Sequence, residues 1–398
     1  MDATENLSPY RLSSGGLFYQ FMLWLRLVEQ NQYHPWRLVV LFSGLTWLPL
    51  LILTSIDGTL AGGSVEITFI RDPVPHSRFL IALPLLIFAD RIIDPYIASI
   101  IKYFQISRLV PHKAKGLFNK ALDRLTRRKD MAAVDVVLFM FAFGLVWILK
   151  IKFGITSIDV GPSSWMSTNA NGVEELTAAG WWLVLLSIPL IQFIFYRWIW
   201  RLVIWISFLN HLSRIRLRLQ PTHPDQVGGL GILPGGQTSF GVIFSSNAIL
   251  ISSIFASEII YTGRELADMY FEILGFVLIC FTILTVPLCT FANQLSDAKR
   301  IGLRNLNVLG YVFSDTFYSK LVQGKAKKSY EDLVASVDPS TLVDFSTVYE
   351  TVSGMRLIPL NRQRVIQLVL TLTVPFLPLI LIKIPVTEIL AKLLKSIL

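Results

Sequence analysis

The chain has 398 residues, of which 53% are hydrophobic and 12% aromatic but only 16% charged, with a formal net charge of +9. Soluble domains carry about a quarter charged residues, so this balance excludes an ordinary soluble protein and points to an integral membrane protein. The basic excess is not in itself a nucleic-acid signal, because cytoplasmic loops of membrane proteins collect Lys and Arg.

In chain order, residues 1–35 place Leu17, Phe18, Phe21, Leu25 and Val28 at helical spacing with Arg26 and Glu29 among them, which predicts an amphipathic helix on the membrane surface. No small-residue cleavage site follows an early apolar core, so the first span reads as an uncleaved signal-anchor. Roughly twenty apolar residues cross a bilayer core, and residues 36–56 meet that length. Gly58, Gly62, Gly63, Pro73 and Pro75 mark residues 57–78 as a loop. A second span starts near Phe79 and runs into Asp90, Arg91 and Asp94, where Pro95 is expected to interrupt or kink it. Between Lys102 and Lys129 a basic segment with Leu117, Ala121, Leu122 and Leu125 on one side predicts a surface helix. The third span covers residues 131–149. After an acidic loop at 153–177, the fourth covers 176–209, with Trp181, Trp182, Trp198, Trp200 and Trp205 read as interface belts.

Arg214, Arg216 and Arg218 then alternate with Ile215 and Leu217 ahead of a Pro/Gly-rich turn, and spans five and six follow at about 240–261 and 270–292. Cys280 and Cys289 both fall in span six, so no disulfide framework is implied. Residues 294–364 are polar. Ile301, Leu306, Leu309, Phe313 and Phe317 predict an amphipathic extension of span six, and Asp338-Pro339-Ser340 marks a new helix start. A seventh span at 365–382 contains Pro375 and Pro378, which leaves a bent or re-entrant course open, and an amphipathic tail follows. The expected organisation is therefore a surface helix at 1–35, a six-span membrane domain at 36–293, a cytoplasmic helical subdomain at 294–364, and a last span with its tail at 365–398.

With the N-terminus inside, the inner segments hold 27 Lys and Arg and the outer loops 5, which predicts a cytoplasmic N-terminus and accounts for the net charge. The expected partners are the bilayer and anionic lipids at the basic helices, with no nucleic acid; a homo-oligomer stays open. A repeat is also visible. Residues 84–94 and 287–297 share Pro, Leu, Phe, Ala and a final Asp at the same offsets, and Pro189-Leu190 with Phe193 gives a weaker copy. Parallel repeats of this kind are a known transporter construction.

Four groups could carry chemistry. Asp90 and Asp94 lie four apart on one helical face, as do Asn293 and Asp297. They are either a cation or proton site or helix-exit acids paired with neighbouring bases, because ionisable groups at membrane depth are costly without a purpose. Ser246, Asn247, Ser253, Ser257 and Glu258 make span five polar on one side, fitting either a pore lining or the close packing that small residues permit. His223 and Asp225, beside Gly228, Gly229 and Gly231, are the most enzyme-like local sequence, though two such residues also suit a structural turn. No phosphate-loop pattern occurs and the sequence assigns no metal or cofactor.

The run Pro221-Thr222-His223-Pro224-Asp225-x-x-Gly228-Gly229-Leu230-Gly231 after the Trp-rich span, with the Phe79–Asp94 and Met355-Arg356-x-x-Pro359 segments, resembles a family of polytopic bacterial membrane proteins of about this length. The resemblance implies a bacterial inner-membrane location and supplies no catalytic residues. The residues themselves favour a channel or carrier for a small ion. A membrane enzyme working at the headgroup layer, or a scaffold docking a soluble partner through 294–364, stands as the alternative.

Overall fold

The computed structural model describes residues 10–27, 35–62, 65–153, 163–170, 173–319 and 339–383. It is almost wholly helical: α1 (Gly16–Trp24), α2 (Pro35–Ile56), α3 (Pro73–His76), α4 (Leu83–Ile106), α5 (Lys115–Lys129), α6 (Ala132–Phe153), a hairpin of β1 (Ser167–Ala170) and β2 (Val173–Leu176), α7 (Ala178–Trp182), α8 (Ile188–Ser213), α9 (Leu233–Ser239), α10 (Gly241–Tyr261), α11 (Tyr270–Cys289), α12 (Ala292–Phe317), α13 (Pro339–Ser353), α14 (Arg362–Thr373) and α15 (Leu377–Lys383). Five helical stretches among the described residues are long and apolar enough to cross a membrane, beginning at Pro35, Ala178, Leu233, Leu266 and Arg362. Their outer faces confirm the environment. Val40, Leu48 and Ile52 of α2 and Phe271, Leu278, Ile279 and Val286 of α11 are all exposed, an apolar belt that water would not tolerate on a monomeric surface. The protein is membrane-embedded.

α4, α8 and α10 form the centre of the bundle, with α2 and α6 outside them. Three expectations are revised here. Pro73 and Pro75 do not sit in a loop: they open a helix that Asp72 caps by accepting from the Val74 amide at 2.9 Å, a position where proline's missing N–H is harmless. Pro95 does not end α4, which continues to Ile106. Trp198 and Trp205 are not interface belts but core, 3% and 0% exposed, because the face of α8 that carries them turns into the bundle. The basic helix α5 likewise buries Phe118, Ala121 and Leu125 against α8, while Leu117 stays exposed.

The helical runs through α4 and α8 share an irregularity. A π turn, Ser77–Ala82, precedes Pro84, and another, Leu183–Ser187, precedes Pro189. Proline withdraws a ladder donor, and the widened turn is how each helix absorbs that loss. Around the first, the carbonyls of Phe79, Ala82 and Leu86 accept from Ser43 Oγ (2.8 Å), Ser246 Oγ (2.9 Å) and Trp198 Nε1 (2.9 Å) on three different helices. Pro287, by contrast, lies inside α11 with no such turn, and the chain breaks at Thr290–Phe291 before α12. The stronger sequence match therefore does not extend to surroundings: Asp90 and Asp94 are buried, Asn293 and Asp297 exposed.

Candidate functional site

The charged residues of α4, α6 and α8 converge on a strap formed by residues 10–27. Asp94 is the centre of the contact. Its Oδ1 accepts the amides of Leu12 and Ser13, both at 3.0 Å, and its Oδ2 accepts the Ser13 hydroxyl. Arg201 donates to the Ser13 carbonyl. Arg197 Nε donates to Asp135 Oδ1 at 2.9 Å, and Asp135 Oδ2 accepts the Phe18 amide at 3.0 Å, capping α1 from outside. Lys129 Nζ reaches the Ser14 carbonyl at 3.0 Å while pairing with Asp130. Two anions and three cations are thus matched to main-chain donors and carbonyls, which is how buried charge is tolerated.

Gly15 and Gly16 make the fit possible. Both have positive φ, 95° and 79°, where side chains are disfavoured. A Cβ at either would also strike Asp130 or Asp135. A small cleft of about 60 Å³ remains beside the strap, lined by Asp90, Arg197, Arg201, Tyr19 and Trp198. Asp90 and Asp94 do share one buried face, as their spacing requires. Asp94, however, has both oxygens committed to the strap.

The other candidates disperse. Asp297 is exposed and pairs with Arg300 on its own helix at 2.9 Å, and Lys299 donates to the Met355 carbonyl. Gln294, not Asn293, makes the tertiary contact at that point, donating to the Ile215 carbonyl at 2.9 Å and accepting the Leu217 amide at 3.2 Å. On α10, Ser246 bonds the Ala82 carbonyl, while Ser253 and Asn247 bond their own helix at Leu250 and Ile243. The first half of that stripe faces the α3–α4 run and is packed. Its far end differs: Ser257 and Glu258 line a cavity, with Glu258 bridged to Arg264 at 2.7 Å.

His223 and Asp225 lie 2.9 Å apart in a tight loop. Asp225 accepts the amides of Val227 (2.9 Å), Gly229 (3.1 Å) and Gly231 (2.9 Å), a nest that positive φ at Gln226, Gly228 and Gly229 folds around it. Burial works to raise this carboxyl, but those three amides outweigh it and hold Asp225 below the usual carboxylate range. Arg356 closes the loop by donating to the Asp225 carbonyl at 2.9 Å, so residues 221–231 and 355–359 form one unit. The carboxylate is fully engaged in shaping a turn.

At the opposite end of the α3–α4 run, Asp72 accepts Trp165 Nε1 at 3.0 Å, and His76 accepts Trp47 Nε1 at Nδ1 (3.0 Å). The donor at Nδ1 leaves Nε2 as the protonated nitrogen, which faces the Phe69 carbonyl at 3.0 Å. Asp72, Arg78, Asp135, Arg197 and the Ser13–Gly16 stretch did not stand out from sequence. The one signal available was their setting: Arg197 and Arg201 four apart inside a 36-residue apolar helical stretch, and Asp135 at the head of another apolar helix.

No protein family, no curated protein and no solved structure matches this chain.

Proposed function

We propose that the chain is a membrane transport protein for a small ion, described here with its path closed by the residue 10–27 strap. One observation carries the reading: two charged sites stand at the ends of a single helical run. From Asp72 to Asp94 the chain takes 22 steps through α3, the π turn and α4, a rise of about 33 Å at 1.5 Å per residue. That matches the roughly 30 Å hydrocarbon layer. The π turn between them buries Phe79 and Ala82 and exposes Leu80 and Ile81, an irregular helical stretch of the kind at which transporters place their ion sites. On this reading the α3–α4 run and α6 are two further crossings, giving seven. On the same reading the charge asymmetry favours the cytoplasmic side for the strap, α5 and the Asp225 loop, with anionic lipid at their basic residues, and the resemblance of the 221–231 run favours a bacterial inner membrane.

The test is flux from proteoliposomes holding K⁺, Na⁺ and Cl⁻ gradients. Gly16→Val frees the strap and leaves Asp90 and Asp94 in place. It should raise flux about tenfold, the gain from roughly 1.4 kcal/mol of strap destabilisation, and Asp90→Asn in that background should abolish it. A folded protein passing no ion in either form would remove the proposal.

A second reading has its own observation. Between residues 216–222 and α12 runs a groove of about 630 Å³ that includes Arg216, Arg218, Arg300 and Asn305. It suits a scaffold that docks an acidic soluble partner. Loss of a stoichiometric pulled-down partner on Arg216→Glu with Arg218→Glu, with flux untouched, would favour it.

A further inference from the structure

The cavity at the Asp72 end is a built site. It encloses about 130 Å³ between α3, residues 164–166 just ahead of β1, the start of α8 and the end of α10. An apolar cavity of roughly this size holds a ligand of about six heavy atoms. Its walls are mostly apolar, with Pro75, Trp165, Met166, Leu183, Ile188 and Ile254 among them. The charged groups facing it are Arg78, Asp72 and Glu258, with Arg264 behind Glu258.

These charges are not equivalent. Glu258 is bridged to Arg264, which also pairs with Glu272. Both oxygens of Asp72 accept N–H donors, Val74 at 2.9 Å and Trp165 at 3.0 Å, and burial holds its carboxyl above the usual range. Arg78 is different. Among the described residues its guanidinium has no hydrogen-bond acceptor and no carboxylate at ion-pair distance, its charge interaction with Asp72 acting over a longer range, and the Ser257 hydroxyl lining the same cavity is likewise uncommitted. A planar fork of donors and one hydroxyl over an apolar floor is the arrangement that recognises a carboxylate with a short hydrocarbon body.

We propose that this cavity binds a small organic monocarboxylate, its carboxylate held by Arg78 and Ser257 and its hydrocarbon part against Trp165, Leu183 and Ile254. Binding stands apart from transport, so it can hold even where the transport reading fails.

Butyrate, with six heavy atoms, is the probe, and butyramide its neutral isostere. The full chain in detergent is titrated by calorimetry. Butyrate should bind with a Kd below about 1 mM and butyramide at least about tenfold more weakly, because the amide brings a donor against Arg78. Arg78→Gln should abolish the preference, Arg78→Lys should keep part of it, and Ser257→Ala should weaken butyrate about threefold. Ser257→Ala leaves the fold intact whatever Arg78→Gln does. Equal affinity for the two probes, or no binding at about 10 mM, overturns the proposal. So does butyrate failing where inorganic phosphate or anionic-lipid nanodiscs protect Arg78, which would make the site a headgroup contact.

Discussion

Replacing Asp94 by Ala should release the strap while the bundle stays folded. The substitution removes three hydrogen bonds to a carboxylate, two from the Leu12 and Ser13 amides at 3.0 Å and one from the Ser13 hydroxyl. Bonds to charged groups contribute about 1.5–3 kcal/mol each, a gross loss of roughly 4–9 kcal/mol. Part returns when the freed amides meet water, while the Arg201 contact to the Ser13 carbonyl goes with the strap that is leaving. Breaking one side of a buried charged contact costs about 3–5 kcal/mol, and this is the net figure expected. Hydrogen exchange reads it directly. At about 1.4 kcal/mol per decade, protection of the Leu12, Ser13 and Phe18 amides should fall by roughly two to three and a half decades, or to the unprotected limit. The Gly229 and Gly231 amides should not change. Asp94→Asn keeps one acceptor oxygen and should fall between. Exchange at Leu12 and Ser13 unchanged within about threefold would refute the placement of Asp94 as the strap's anchor.

Gly16→Ala should loosen the same strap by about 1–3 kcal/mol, through φ of 79° and the approach of Asp135, visible as faster exchange at Phe18. Ser246→Ala should cost about 1 kcal/mol of thermal stability by removing the hydroxyl that donates to the Ala82 carbonyl, and should leave ion flux unchanged if the stripe is packing. Asp225 has a folded-state pKa below its unfolded one, so its contribution is present above roughly pH 4 and disappears as pH falls through the folded value. Exchange of the Val227, Gly229 and Gly231 amides should therefore accelerate on the acid side only, and in Asp225→Asn the acid dependence should vanish. Asp297→Ala, on an exposed pair, should change neither stability nor flux measurably.

Sequence reasoning reached the helices through their apolar length, and it reached the shared face of Asp90 and Asp94 through their spacing. What Asp94 holds was not legible, because the strap touches it from 81 and 82 residues away and its recognition uses amides that every residue possesses. The Ser13-Ser14-Gly15-Gly16 run reads as an ordinary flexible stretch until the positive φ values and the surrounding acids are seen together. Tryptophan composition misled in the other direction. An indole on a membrane helix fits the interface or the core equally well, and only the carbonyl of Leu86 decides for Trp198. The π turns were hidden for a related reason: a proline announces a missing donor but not how the preceding turn will absorb it. The Arg78 cavity needed the segment just ahead of β1, whose Trp165 is brought to Asp72 across 93 residues.

The strap also fixes an order of assembly. Its residues leave the ribosome early, yet the arginines that grip Ser13 and Gly15 come 188 and 182 residues later. At roughly 5–20 residues per second, the strap waits about 10–40 s before Arg197 and Arg201 exist. Insertion of α2, α4 and α6 must proceed with Asp94 and Asp135 lacking those partners, so any chaperone or lipid that shields these acids acts within that interval. The strap therefore closes only once α8 has been made.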